Sequence, residues 1–117
     1  MDKMDILVVE YIDSRVLFFI ERFGHHKLDI ADNAKLAIDY LENEIYDYIF
    51  LGGELGEGNG SGVDIATFLV GAVSNPNNYA NIIIHSWNPI EALQMVDLLP
   101  KAKYEPFSEK TLSVLDL

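Results

Sequence analysis

The chain contains no cysteine. Disulfide frameworks, thiolate metal sites and thiol nucleophiles are excluded with it. Cations are scarce as well, 8 Lys and Arg against 19 Asp and Glu, for a formal net charge of −11. A field of that sign repels phosphate backbones and anionic membranes, so neither direct nucleic-acid binding nor membrane binding is expected. It favours a protein partner with a basic surface, although acidity alone also keeps a protein dispersed. No apolar run approaches the roughly 18 residues that would cross a bilayer. The opening Met1-Asp2-Lys3-Met4-Asp5 lacks the basic-then-apolar order of a secretion signal. These absences place the protein in the cytosol.

What is present is a globular balance, 50% hydrophobic and 23% charged, over 117 residues. That length suits one core and is short for two, so residues 1–117 are read as a single domain. Ile6-Leu7-Val8-Val9, Tyr48-Ile49-Phe50-Leu51 and Ile82-Ile83-Ile84 are short, continuous and β-rich, as strands buried on both faces must be. His26 to Ala31 and Ala102-Lys103-Tyr104 are weaker and suit edge strands.

Helical spacing fills the intervals: Val16, Phe19, Ile20 and Phe23 closed by Gly24, then Ala34, Ala37, Ile38 and Leu41, then Ile65, Ala66, Leu69 and Val73. Asp13 is the expected N-cap of the first helix. Asn88, Pro89 and Glu91 form a capping signature before the fourth, and Ser108-Glu109 opens a short fifth. Strands alternating with helices give right-handed β-α-β units and a parallel sheet. Six of the eight glycines fall between Gly52 and Gly62, a loop. Ligands of such sheets gather at the carboxyl ends of the strands, where Glu10, Gly52, His85 and Glu105 fall.

In its order of motifs the chain resembles the receiver domains of bacterial response regulators. The resemblance rests on Val9-Glu10-Tyr11 after the first strand, Tyr46 to Leu51 as the strand that ends in the phosphoacceptor, and Tyr104-Glu105-Pro106-Phe107 at the closing Lys-Pro-Phe motif. It implies a flavodoxin-like, doubly wound five-stranded sheet of order 2-1-3-4-5 with helices on both faces, and a cis Glu105–Pro106 bond. The phosphoacceptor falls on Gly52, the second acid on Tyr11 and the lysine on Glu105; only Glu10 and Ser86 match by type. Receiver chemistry needs a carboxylate nucleophile, anionic oxygens on Mg²⁺ and a cation facing the phosphoryl group. Reversing that cation's sign at Glu105 costs on the order of 1–4 kcal/mol.

His85-Ser86-Trp87-Asn88-Pro89, Leu51-Gly52-Gly53-Glu54-Leu55 and Ser61 to Ala66 resemble more closely the cyclic-phosphate-processing receivers, a family frequent in bacteriophages and bacterial conflict systems. That family carries Asp-His-Asp-Leu where Gly52 to Leu55 stand, His-Ser-x-Asn as in His85 to Asn88, and usually Gly where Glu91 stands.

Three functions of different kinds follow. The first is a non-catalytic pseudo-receiver that binds another protein through Trp87, Glu54 and Glu57, in its specific form a phage protein that inhibits or redirects a host factor. It requires neither cofactor nor metal. The second, implied by the resemblance, is a divergent cyclic-phosphate hydrolase using His85, Ser86, Glu54 and Glu10. The third is a scaffold, a homodimer through the fourth and fifth helices, or an acidic mimic of nucleic acid. Neighbours on a strand point to opposite faces, so His85 and Ser86 do not by themselves form a base and nucleophile pair. His25 and His26 are expected at the surface. The loop lacks the Lys-Ser/Thr ending of a phosphate cradle, and its acids miss the calcium-loop positions.

Overall fold

The computed structural model describes residues 3–115 and 117; Met1, Asp2 and Asp116 lie outside the described residues. The strands are β1 (Asp5–Val9), β2 (Lys27–Ala31), β3 (Tyr48–Leu51), β4 (Asn81–Ile84) and β5 (Lys103–Tyr104). They form one parallel sheet in the order β2-β1-β3-β4-β5. Between and after them run α1 (Asp13–Phe23), α2 (Ala34–Asn43), α3 (Gly62–Gly71), α4 (Pro89–Leu98) and α5 (Glu109–Ser113), with a 3₁₀ turn at Pro76–Tyr79.

Alternation along the strands divides the core into two layers. Leu7, Val9, Ile49, Leu51, Ile82 and Ile84 meet α2, α3 and α4 through residues such as Ala37, Leu41, Ile65, Leu69, Ala92 and Met95. Ile6, Val8, Phe50 and Ile83 meet Phe18, Phe19 and Phe23 of α1 and Leu112 of α5. The second layer is largely aromatic, with Phe23 stacked on Phe50 at 5.4 Å. Right-handed crossovers and one order reversal between β1 and β3 put a crevice at the carboxyl ends of β1, β3 and β4.

Several expectations are corrected. The N-cap of α1 is Ile12 and Asp13 is its first helical residue; no side chain caps this end. Ile20 lies half outside at 46% exposure, because the Phe18, Phe19 and Phe23 cluster fills the face it was expected to share. Helix α3 stops at Gly71, leaving Val73 81% exposed. His26 is buried rather than superficial, since its Nδ1 accepts the Met4 N–H at 3.0 Å. The Glu105–Pro106 bond is trans, as are all peptide bonds among the described residues.

Buried polar groups fasten the lower rim, where the strands begin. Asn77 is fully buried: its Oδ1 accepts the Tyr46 N–H and its Nδ2 donates to the carbonyls of Leu41 and Glu44. The Tyr46 hydroxyl donates to Asp29 at 2.7 Å, and burial together with that carboxylate pushes its pKa well up.

At the start of α3 the backbone N–H of Gly62 donates to the Gly53 carbonyl at 2.7 Å. A Cβ on Gly62 would collide with the Gly52 carbonyl oxygen and stand 2.7 Å from Met95 Sδ. The backbone oxygen cannot step aside without moving the end of β3. Gly62→Ala is therefore expected to cost about 2–3 kcal/mol, the upper range for overpacking, read as a lower urea midpoint; an unchanged midpoint would refute the close approach.

Candidate functional site

Glu10 follows β1, Gly52 follows β3, and His85 and Ser86 follow β4, so topology alone brings them to one rim. Glu10 is 2% exposed and its Oε1 lies 2.9 Å from His85 Nε2. Glu10 Oε2 accepts the N–H groups of Tyr11 and Ile12 at 2.9 and 3.1 Å. Burial pushes the Glu10 carboxyl up, but the His85 hydrogen bond and charge and those two backbone donors outweigh it and hold the group below its ordinary value. The His85 ring is wholly buried against Phe19 and Phe107, and its Nδ1 has no partner. Nε2 is the ring nitrogen that meets the carboxylate.

Gly52 lies between the two. A Cβ there would stand 2.7 Å from the Val9 carbonyl oxygen and 3.4 Å from His85 Nε2. The missing side chain is what lets Glu10 and His85 meet.

Arg15, in the first turns of α1, is a feature of the site that sequence reasoning passed over. Its guanidinium lies 3.6 Å from Glu10 Oε1, 4.1 Å from the Trp87 ring centroid and 4.9 Å from that of Phe107. The signal available was an arginine on the helix that follows the first rim residue, facing the sole tryptophan from another rim loop. Trp87 is 64% exposed yet anchored, its Nε1–H donating to the Phe107 carbonyl at 2.7 Å.

Beside this lies a cleft of ≈ 350 Å³ walled by Glu10, Tyr11, Arg15, Gly53, Glu54, Ser86, Trp87 and Asn88. Ser86 is buried and faces away from His85, toward Gly53 and Asn88. A Cβ on Gly53 would collide with Ser86 Oγ and stand 3.1 Å from Glu91 Oε2, so the glycine at 53 and the glutamate at 91 fit one another. Glu91 Oε1 accepts from Asn88 Nδ2, while its Oε2 is buried without a partner. Tyr11 packs against the backbone of Gly56. Glu54 is exposed on the cleft wall. Glu57 is exposed at a turn flanked by the positive-φ Gly56 and Gly58 and does not line the cleft.

Two expectations about this rim change. Glu105 does not face the cleft; it lines a separate trough with Tyr48, Tyr79 and Lys103, so the reversed charge lies off the site and Arg15 supplies its cation. Of the residues expected to bind a partner, Trp87 and Glu54 meet at the cleft and Glu57 stands apart from it, while Glu10 is buried and paired. The Mg²⁺ that the receiver resemblance implies does not fit: positions 11 and 52 offer no carboxylate, and the carboxylate of Glu10 is committed to His85 with a guanidinium beside it. Among the described residues no three His, Asp or Glu side chains converge as metal ligands would.

The sequence model of the cyclic-phosphate processing receiver domain matches residues 11–101. No curated protein matches the chain in sequence. Among solved structures, the receiver domain of an HD domain-containing protein from Pseudomonas fluorescens Pf-5 is similar at TM-score 0.73 and 14% identity, over 95% of this chain and 89% of that one. A CheY-like receiver domain from Methylobacillus flagellatus is similar at 0.71 and 17%, over 95% and 93%. The receiver domain of Francisella response regulator 1452 is similar at 0.70 and 19%, over 96% and 92%. At such identities these likenesses speak to fold alone.

Replacing Glu10 by glutamine keeps the shape and removes the charge. Because the folded-state pKa is depressed, the contribution of Glu10 is complete above the ordinary carboxyl value of 4.5 and is lost as pH falls through the lower folded value. Glu10→Gln should therefore cost about 1.5–3 kcal/mol at pH 7, the range for hydrogen bonds to charged groups. The gap to the parent should close as pH falls below the ordinary value. Urea titrations at pH 7 and pH 3 check it; an equal gap at both would refute the assignment.

Proposed function

We propose that this chain, which belongs to the cyclic-phosphate processing receiver family, works as a non-catalytic binding module for another protein. The observation that carries the reading is the His85–Glu10 bond closed over Gly52. It fills the space that a phosphoacceptor and its metal require, and it buries the histidine that a hydrolase would need exposed. Neither Glu10 nor His85 can approach a substrate without breaking a hydrogen bond sheltered from water.

What the rim still offers is recognition. Trp87 projects 64% of its surface while its indole N–H and one ring face are held by Phe107 and Arg15. Tryptophan so restrained loses little freedom on binding and is the residue type most enriched at interface hot spots. Ile90 and Leu93 are 69% and 65% exposed on α4, the helix that follows it, and Glu54 is exposed across the cleft. An apolar centre with a carboxylate at its edge suits a basic partner with an apolar pocket. Its specific form is a phage or conflict-system protein that redirects a host factor, by analogy with where the family occurs. The feature that favours the second reading, hydrolysis of a cyclic phosphate, is Arg15 in the cleft with Ser86 and Asn88. Turnover of a cyclic nucleotide, lost in Arg15→Ala, would establish that reading in place of the first.

Incubation with acetyl phosphate or beryllofluoride and Mg²⁺ should leave the intact mass unchanged. Restoring a carboxylate by Gly52→Asp should not rescue labelling, because the new Cβ meets the Val9 carbonyl oxygen and its carboxylate enters the space of Glu10 and His85. An acid-labile adduct of one phosphoryl group on the parent would sink the reading.

Truncating the anchor, Trp87→Ala, should weaken partner binding by about 2 kcal/mol or more. The charge reversal Glu54→Lys should mainly slow association and lower its salt dependence. Surface plasmon resonance against a partner captured from host lysate separates the two. Parent-like binding by both variants, with loss in variants elsewhere, would move the site.

A further inference from the structure

We infer that the trough along the β4–β5 edge of the sheet, from the turn before β4 to Glu105 just past β5, is a second docking surface, and that it takes an acidic, aliphatic-rich segment of a partner protein. The trough exists because α5 runs only five residues, about 7.5 Å at 1.5 Å per residue. Beyond it the sheet edge is bordered by Leu115, with Tyr48 half-buried and Ile83 buried at the floor of the trough. On the other side of Tyr79 a second depression continues over Val70, Leu98, Leu99 and Pro100. The two, ≈ 310 and ≈ 270 Å³, share Asn78, Tyr79, Ala80, Ile82 and Lys101. Tyr79 is thus the ridge of one elongated groove.

Three observations point to a ligand there. Tyr79 is 88% exposed, the most exposed of the large hydrophobic side chains, yet the turn that presents it is held to the core on every side. Asn77 binds the Tyr46 N–H and two carbonyls, Asn75 Nδ2 donates to the Leu41 carbonyl, and Asn78 Nδ2 donates to that of Ala72. A rigid mount for an aromatic in water is the arrangement of a contact residue, because little mobility is lost on binding.

Charge gives the second observation. Lys101 and Lys103 both line the groove, two of only eight Lys and Arg residues in a chain of net charge −11, with Glu105 as the one carboxylate on its wall among the described residues. A partner carrying carboxylates is drawn to this place and repelled by most of the remaining surface.

Shape decides between a small molecule and a chain segment. The groove lies open on both sides of a protruding ring instead of enclosing a volume that could bury most of a small ligand. An extended segment with an aliphatic side chain on each side of Tyr79 and carboxylates over the lysines fits it. The surface does not depend on Trp87, which lines neither depression.

The test is fluorescence anisotropy of the full chain with a labelled twelve-residue peptide of alternating Glu and Leu, and with its twin carrying Lys for Glu. Saturable binding of the acidic peptide is expected, weakened at least tenfold by Tyr79→Ala and by Lys101→Glu/Lys103→Glu, and unchanged by Trp87→Ala. Circular dichroism establishes that each variant is folded. Amide shifts of Asn78, Tyr79, Lys101 and Lys103 in the parent, on titration with the same peptide, provide a readout independent of any variant. No saturable binding by the parent, equal binding of the Lys twin, or indifference to both groove variants overturns the inference. Loss of binding in Trp87→Ala alone overturns it too, and assigns the peptide to the cleft beside Trp87.

Discussion

The carboxylate of Glu10 and the imidazole of His85 meet at 2.9 Å across the end of a strand that contributes no side chain between them. Glu10 leaves β1 and His85 leaves β4, with β3 in the middle, so at about 4.8 Å per strand their backbones stand roughly 10 Å apart. Spanning that distance takes glutamate, one methylene longer than aspartate, and a glycine beneath. The bond also sets its surroundings: the second oxygen of Glu10 holds the first two N–H groups of the β1–α1 connection, and α1 in turn sends Arg15 back to the same carboxylate. Each departure from the receiver pattern at this rim is intelligible as part of one rearrangement. Gly52 clears the path, Glu10 reaches along it, and Arg15 balances the buried charge.

A second reciprocal fit stands next to the first. Gly53 and Glu91 exchange bulk, the glycine leaving room for the carboxylate that folds back over it from α4. Two neighbouring positions at the end of β3 thus carry no side chain, and a group from another element lies close to each, the His85 ring at Gly52 and the Glu91 carboxylate at Gly53. The two fits make the end of β3 a closely packed part of the rim.

Much of the architecture was legible because buried parallel strands have a signature in sequence. Ile6 to Val9, Tyr48 to Leu51 and Ile82 to Ile84 could hardly be anything else, and the strand order followed from resemblance to a known fold. What escaped were pairings set by geometry at long sequence separation. The partner of Glu10 lies 75 residues away and depends on an absent side chain. His25 and His26 look alike in sequence, yet only the second turns inward, because the Met4 N–H at the start of β1 needs an acceptor there. The direction of Glu105 was misjudged because a motif fixes the place of a residue on the backbone, not the side on which its chain leaves a trans peptide.

The three hydrogen bonds of the Asn77 side chain bear on how the domain opens. Its amide links the α3–β4 connection to the α2–β3 connection, two segments more than thirty residues apart, through hydrogen bonds that neither could keep alone. Connections of this kind ordinarily exchange their amide protons independently and early. Here neither can swing out without exposing unpaired groups of the other, so both belong to one cooperative unit with the strands they precede. At the upper rim the Glu10–His85 bond ties the ends of β1 and β4 in the same way, while the loop from Gly56 to Gly60, with three glycines at positive φ, is exposed at Glu57, Gly58, Asn59 and Gly60. Opening fluctuations should thus gather in the exposed Gly56 to Gly60 loop, with the strand ends on either side of the sheet staying closed.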